Sequence, residues 1–227
     1  MAPSEVSALK GETRVEEPDR LGRAIARRTA ETRATVPDLE LALDVDAGAC
    51  LKLARERGCS LTAVLLRACA IALSEVPRAN GAYRDGRFEL YSRVNVGVTI
   101  QTDDGYLTPT VLDADLKSLQ QLNEELAQVR DRALAGELTA PELAGATFTF
   151  SDLGEYGVQR SSALVNPPQA AALTAGSVRA VALVRDGAVV AGHAISLTLA
   201  CDHRILFGAR AAGFLRRIGE LLETGEL

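Results

Sequence analysis

The sequence predicts a mixed α/β domain in which a largely antiparallel sheet is flanked by helices. Hydrophobic residues make up 47% of the 227 residues and charged residues 24%, which is typical of a folded domain with a sizeable core. The strand-like alternating runs follow one another as neighbours and hairpins, without a strict alternation of strand and helix. That order favours antiparallel pairing over a doubly wound parallel sheet.

Capping residues define the elements of the N-terminal half. Residues 1–16 are polar and are expected to be flexible. Pro18 opens a helical pattern, because proline is tolerated in a first turn. Gly58 is suited to end one helix and Ser60 to begin the next. The elements predicted in order are a helix from Pro18, a half-buried alternating strand over 39–45, a helix over 47–57 and a broadly apolar helix from 61 that stops at Pro77.

Turn signals divide the second half into strands and hairpins. Asp-Gly pairs between alternating runs favour tight turns, and they occur at 85–86, 104–105 and 186–187. The runs that predict strands are "VNVGVTI", "TFTFS", "AAALTAGSV", "AVALV" and "HAISLTLAC". Ser118 begins an amphipathic helix that Gly136 ends, and "TAPE" at 139–142 has the spacing of a capping box. A last helix spans about 209–222.

Composition and charge exclude several classes of function. The net charge of −5 and the pI of about 5.2 argue against nucleic-acid binding, which usually requires a basic patch. No stretch of about 18 uncharged apolar residues occurs, so no membrane-spanning helix is expected, and no signal peptide is visible. Two histidines and no C-x-x-C pair give no basis for a metal site. The cysteines, at positions 50, 59, 69 and 201, suit a reducing cytoplasm.

Three polar side chains near predicted strand ends are candidates for chemistry. His203 stands between an alternating run and the last helix, where it can reach a site or serve as an edge histidine with one hydrogen bond. Cys201 would project with His203 from one face of a regular strand, as a thiol and a base do in covalent catalysis. A buried small residue is the favoured interpretation of Cys201, because no third residue orients the imidazole. Ser151 can cap a turn or donate a hydrogen bond to an oxyanion.

Ordered motifs along some 200 residues resemble one family. They are "RAIARRTAETRATVPDLELALDVD", "LTAVLLRACAIALSEVPRANGAY", "VNVGVTIQTDDGYLTPTVLDAD", "GATFTFSDLGEYGV", "SALVNPPQAAALTAGS" and "LTLACDHRILFGARAAGFLRRIGELLE". In this order they resemble the catalytic acyltransferase domain of 2-oxo acid dehydrogenase complexes, the dihydrolipoamide acyltransferase, which shares its fold with chloramphenicol acetyltransferase.

The resemblance implies a reaction and an assembly. The histidine of the family's H-x-x-x-D-G motif, here His203 with Gly208 at the motif's glycine, takes the proton of a thiol that attacks a thioester. A serine at the place of Ser151 steadies the tetrahedral oxyanion. Coenzyme A and the lipoyl group are then the substrates, and no metal is needed. The two residues are expected to meet between subunits of a homotrimer, with a lipoyl domain and dehydrogenase subunits as further partners.

Two positions depart from the motif. Phe207 stands where the family has Asp or sometimes Asn, and Cys201 stands where an aromatic residue is usual. We hypothesise that side-chain volume has been exchanged between these two positions. Two interpretations follow: an acyltransferase with altered support of its histidine, or a non-catalytic trimeric scaffold or relative with another acceptor.

The resemblance also bears on domain organisation. Residues 17–227 are expected to form a single catalytic domain, with neither a lipoyl nor a peripheral-subunit-binding domain in this chain. The family's longer apolar C-terminal tail is missing from "LLETGEL". A trimer that does not build a cubic or dodecahedral core is therefore expected.

Overall fold

A computed structural model describes residues 11, 13–103, 105–185 and 187–227. The helices are α1 (Arg20–Thr35), α2 (Gly48–Arg57), α3 (Leu61–Glu75), α4 (Leu119–Leu134) and α5 (Gly208–Thr224). The strands are β1 (Asp38–Asp46), β2 (Gly81–Arg84), β3 (Arg87–Leu90), β4 (Val96–Thr102), β5 (Gly105–Leu107), β6 (Thr110–Val111), β7 (Phe148–Asp152), β8 (Ala171–Ala175), β9 (Arg179–Arg185) and β10 (Ala188–Asp202). Short 3₁₀ turns cover Ala114–Leu116, Ala140–Leu143 and Gly154–Tyr156.

The main sheet is mixed and mostly antiparallel, as predicted. Its strand order is β1-β10-β8-β7-β4-β5, with β9 paired to β10 and β6 to β4. The pairs β4–β7 and β7–β8 are parallel, and the other pairs in this sheet are antiparallel. Strands β2 and β3 form a separate hairpin. Its turn residues Asp85 and Gly86 both have positive φ, which explains the Asp-Gly pair there.

The predicted caps at Gly58, Ser60 and Ser118 are confirmed. The prediction that Pro18 lies in the first turn of a helix is wrong, because α1 begins at Arg20 with Asp19 as its N-cap. Ser60 accepts a hydrogen bond from the Ala63 N–H, and Ser118 and Gln121 form a reciprocal capping box on α4. Gly58 ends α2 at a φ of 61°, in the left-handed region that glycine tolerates. The predicted flexibility of residues 1–16 falls mostly outside the described residues, as do the first residues of the turns at 104–105 and 186–187.

Helix α5 packs on β1 and β10, and α3 packs against α5. The buried positions of α5 recur at helical spacing, and they are Ala211, Phe214, Leu215, Ile218, Leu221 and Leu222. This stripe packs against β1 and α3 in the main core. On the other face Ala172 and Ala200 join Val36, Ala163 and Val165 in a second buried cluster. The last nine residues of β10 are therefore buried, and the chain reaches the surface at the residue that follows the strand.

Among the described residues, no single helix has the length and apolar character needed to cross a bilayer; α2 and α3 meet that test only as a pair bent by 113°.

Candidate active site

The turn between β10 and α5 carries His203. Strand β10 ends at Asp202, so His203 lies in the turn, where its backbone N–H donates to the Pro37 carbonyl at 3.0 Å. Arg204 donates to the buried Asp202 carboxylate through Nε at 2.9 Å and Nη2 at 2.7 Å. The His203 side chain is exposed and faces the start of α5, since a Cβ built on Gly208 would lie 4.0 Å from its Nε2. The backbone around the imidazole is thus fixed while the ring stays accessible.

Phe207 lies beside that imidazole. The two ring centroids are 6.2 Å apart, with an edge-to-face angle of 81°. Phe207 is also the N-cap residue of α5, and it supplies no side-chain hydrogen bond to the helix. Asp or Asn at this position would have provided such a cap.

Cys201 lies in the main core. It is fully buried, and its Sγ faces the carbonyls of Leu39 and Leu206 at 3.6 and 3.5 Å. Burial raises the pKa of the Cys201 thiol to about 12. Because the strand ends at Asp202, Cys201 does not project together with His203. The interpretation of Cys201 as a buried small residue is confirmed.

The hypothesis of a volume exchange between positions 201 and 207 is wrong. The Phe207 side chain remains 44% exposed at the surface. It packs on His203 and Arg78 and not into the space that an aromatic residue at Cys201 would occupy.

Ser151 lies near the end of β7, beside a cavity of about 290 Å³. Its hydroxyl donates a hydrogen bond of 2.8 Å to Thr99 Oγ1, because the parallel register of β4 and β7 places these residues opposite each other. Asp152 pins the following turn: Oδ1 accepts from the Gly154 N–H at 2.9 Å, and Oδ2 accepts from the Thr62 hydroxyl at 2.7 Å.

The cavity beside Ser151 has a mixed lining. Its apolar wall includes Val98, Ile100 and Leu126, and Arg130 and Glu155 form an ion pair of 2.9 Å at its lining. Thr99 belongs to this lining and was not singled out from the sequence. Only the pairing of β4 with β7 identifies it, and that pairing joins residues 52 positions apart.

One chain does not bring Ser151 and His203 together. Ser151 lies opposite Thr174 on β8, and Thr174 lies opposite Thr198 on β10. His203 follows Thr198 by five residues, at the other end of the sheet. An offset of five residues along the sheet and two strand spacings separate the backbone positions of Ser151 and His203 by about 20 Å. A site that uses both must take one of them from a second copy of the chain.

Within the described residues, no three His, Cys, Asp or Glu side chains converge as a metal site would require.

Comparisons with known proteins agree on one family. The model of the 2-oxoacid dehydrogenases acyltransferase (catalytic domain) matches residues 10–227. The dihydrolipoyllysine-residue acetyltransferase component of the pyruvate dehydrogenase complex of Zymomonas mobilis is 33% identical over 210 residues, 88% of this chain and 48% of that protein. The chain thus spans about half the length of such curated relatives.

Solved structures agree with the sequence match. The dihydrolipoamide acetyltransferase of Azotobacter vinelandii superposes with a TM-score of 0.88 at 30% identity, over 98% of this chain and 96% of that chain. A chloramphenicol acetyltransferase superposes with a TM-score of 0.58 at 18% identity, over 86% and 94% of the two chains, and thus shares the fold. The match over almost the entire sequence and the shared fold show that the chain belongs to the 2-oxoacid dehydrogenases acyltransferase (catalytic domain) family.

Proposed function

We propose that this domain transfers an acyl group between dihydrolipoamide and coenzyme A. One observation carries the proposal. Ser151 and His203 lie 52 positions apart, and position 207 follows the histidine by four. In the Azotobacter vinelandii dihydrolipoamide acetyltransferase, a serine, a histidine and an asparagine at this same spacing have a role in the catalytic mechanism. The present chain keeps the serine and the histidine and carries Phe207 in place of the asparagine.

The chemistry follows from the two retained groups. The His203 imidazole accepts the proton of one thiol, and the sulfur attacks the carbonyl carbon of the other partner's thioester. The carbonyl oxygen becomes an oxyanion, to which the Ser151 hydroxyl donates a hydrogen bond. Collapse of the tetrahedral intermediate expels the second sulfur as a thiolate, which recovers the proton from the imidazolium.

The bond between Ser151 and Thr99 is compatible with this role. A hydroxyl is both a donor and an acceptor. When Ser151 donates to the oxyanion, the Thr99 hydroxyl can reverse and donate to Ser151 Oγ at the same 2.8 Å separation. The neighbouring cavity of about 290 Å³ offers room for a substrate arm beside Ser151.

The separation of about 20 Å within one chain supports a site built between copies. A ring of three identical chains with rotational symmetry repeats one serine–histidine contact three times. We therefore propose a homotrimer, and a lipoyl domain and dehydrogenase subunits as its partners in the cytoplasm.

Transfer of an acetyl group from acetyl-coenzyme A to dihydrolipoamide tests the proposal. The wild-type chain is expected to turn over, and His203→Ala to lower kcat by about 10²- to 10⁴-fold, the usual worth of a general base. His193→Ala is the matched control, since this second histidine is exposed on β10, ten residues before His203. Trimers that bind no coenzyme A and show no turnover would contradict the proposal and favour a scaffold.

A further inference from the structure

We propose that Phe207 is a positioning residue that holds the His203 imidazole through ring contact, and that Arg78 anchors Phe207 against the β2–β3 hairpin. The inference rests on the proposed function of His203 as the base. It concerns how this chain orients that base without the carboxylate or amide that its motif lacks.

The His203 ring has no polar restraint within the described part of the chain. Its side chain makes no hydrogen bond there, although the backbone N–H is bonded to Pro37. An exposed imidazole without such a bond is free to rotate about both side-chain torsions. The contact that limits it is the edge-to-face packing with Phe207, whose centroid distance of 6.2 Å lies in the range that such ring pairs prefer.

Phe207 is itself held by a cation. The guanidinium carbon of Arg78 lies 5.7 Å from the Phe207 centroid and 4.3 Å from the Phe88 centroid. Both distances are within the reach of a cation–π contact. Among the described residues, Arg78 takes part in no ion pair and no side-chain hydrogen bond, so these two rings are its partners. The order of contacts is thus Phe88, Arg78, Phe207 and His203.

A second contact fixes the same turn from its other side. Arg204, which is doubly bonded to Asp202, places its guanidinium carbon 4.7 Å from the Tyr83 centroid. Tyr83 in turn packs against Phe88, with centroids 6.1 Å apart. Two guanidinium groups therefore connect the β2–β3 hairpin with the turn that carries His203. Arg78 contacts Phe207, and Arg204 is the residue that follows His203.

The hairpin is a firm platform for this role. The Asn80 side chain donates to the carbonyls of Tyr91 and Arg93 at 3.1 and 2.9 Å, which closes the base of the hairpin. The Gly81 carbonyl accepts from the Ala170 N–H at 2.8 Å and joins the hairpin to the segment before β8. A ring that Arg78 anchors to this hairpin can restrict the orientation of the neighbouring imidazole.

Variants of the full chain test the proposal. Phe207→Leu keeps an apolar side chain but removes the ring. Phe207→Tyr keeps an aromatic ring, and Arg78→Ala removes the cation that contacts Phe207. Arg55→Ala, an exposed arginine on α2 away from the hairpin, is the control. Two readouts are needed: nuclear magnetic resonance signals of the His203 ring, identified with a His193→Gln variant, and kcat and KM for acetyl transfer.

We expect the His203 ring signals to move and broaden in Phe207→Leu and Arg78→Ala, and to return in Phe207→Tyr. We expect kcat to fall on the order of tenfold with KM unchanged, because a misplaced base weakens the reaction step and not substrate binding. Loss of the Phe207 ring shifts nearby signals by itself, so Arg78→Ala, which keeps both rings, is the decisive variant. His203 signals that keep their wild-type positions and line widths in Arg78→Ala would overturn the proposal. If those signals move but the wild-type chain shows no transfer, the proposed function fails and the ring contact stands.

Discussion

The hydroxyl of Ser151, hydrogen-bonded to Thr99, is the donor that we propose for the oxyanion. One preorganised donor to an oxyanion is worth about 10²- to 10³-fold in kcat. Ser151→Ala is therefore expected to lower kcat by about that factor. Thr99→Val removes only the hydroxyl that holds Ser151, and a smaller loss on the order of tenfold in kcat is expected.

Steady-state kinetics of acetyl transfer checks both changes, with thermal melting as the control for folding. Thr99→Ser keeps the hydroxyl and should retain most of the activity. A Thr99→Val protein with wild-type kcat would show that the 2.8 Å bond to Ser151 has no part in catalysis.

Phe207 is also the N-cap residue of α5, where its side chain gives the helix no hydrogen bond and so contributes no capping stability. An asparagine there can accept a hydrogen bond from the first turn of the helix, which stabilises a protein by about 1 kcal/mol. The substitution Phe207→Asn also removes the contacts of the Phe207 ring with His203 and Arg78, each of which stabilises the protein by roughly 0.5–1.5 kcal/mol. The two lost contacts sum to about 1–3 kcal/mol and outweigh the cap, so Phe207→Asn is expected to be less stable than wild type by up to about 2 kcal/mol.

The comparison with Phe207→Leu isolates the cap, because both variants lose the ring. Chemical denaturation is expected to show Phe207→Asn more stable than Phe207→Leu by about 1 kcal/mol. Equal stability of the two variants would mean that α5 gains nothing from a side-chain cap at this position.

At the scale of elements, Gly176 lets the loop after β7 pass close to the end of β8. A Cβ at Gly176 would lie 2.7 Å from the Gln159 carbonyl carbon and 3.0 Å from the Val158 oxygen. Gly176→Ala must displace this loop, and overpacking of backbone on backbone is expected to cost about 3 kcal/mol of unfolding free energy.

Gly213→Ala is the matched control. It lies within α5 with no heavy atom within 4 Å of an added Cβ. An alanine there should stabilise the chain by about 0.5–1 kcal/mol. Chemical denaturation measures the free energy of unfolding of both variants. A Gly176→Ala protein as stable as wild type would contradict the close approach of the loop to Gly176.

Asp44 on β1 contacts two other strands and a loop through its carboxylate. Its carboxylate accepts from the Ser196 hydroxyl on β10, from Arg179 on β9 at 3.3 Å and from Arg160 at 3.5 Å. The Ser196 hydrogen bond, aided by the two arginines and opposed by desolvation, lowers the pKa of Asp44. A lowered folded pKa stabilises the protein above the unfolded value of about 4, and this contribution is lost as pH falls.

Asp44→Asn is therefore expected to be less stable than wild type at pH 7, by less than about 1 kcal/mol because the carboxylate is half exposed. Urea denaturation at pH 7 and pH 3 measures the gap, which should shrink at the lower pH. A gap that widens on acidification would contradict the sign of the shift.

The strands and caps were predictable because their signals are local. Alternation identified β1, and single residues such as Gly58 and Ser60 identified helix ends. The pairing of Thr99 with Ser151 was not predictable, since it depends on the register of two parallel strands far apart in sequence. The contact of Arg78 with Phe207 was equally hidden, because it depends on where a separate hairpin packs. The assumption of a regular strand through His203 failed because β10 ends one residue earlier.

At the scale of the whole molecule, the site that we propose is complete only when several copies of the chain assemble. Ser151 and His203 lie at opposite ends of the sheet, and no rearrangement of side chains closes about 20 Å. The assembly is expected to sediment as three copies of the 24.0 kDa chain. A mass of a single chain would contradict a site built between copies.

Complementation between two inactive variants tests the central claim most directly. Ser151→Ala and His203→Ala chains, each inactive alone, are unfolded, mixed in equal amounts and refolded together. If each site takes its serine and histidine from different chains, random trimers should regain about a quarter of wild-type activity, because one site in four joins the two intact residues. If both residues acted within one chain, the mixture would stay as inactive as its components, and that result would contradict the account.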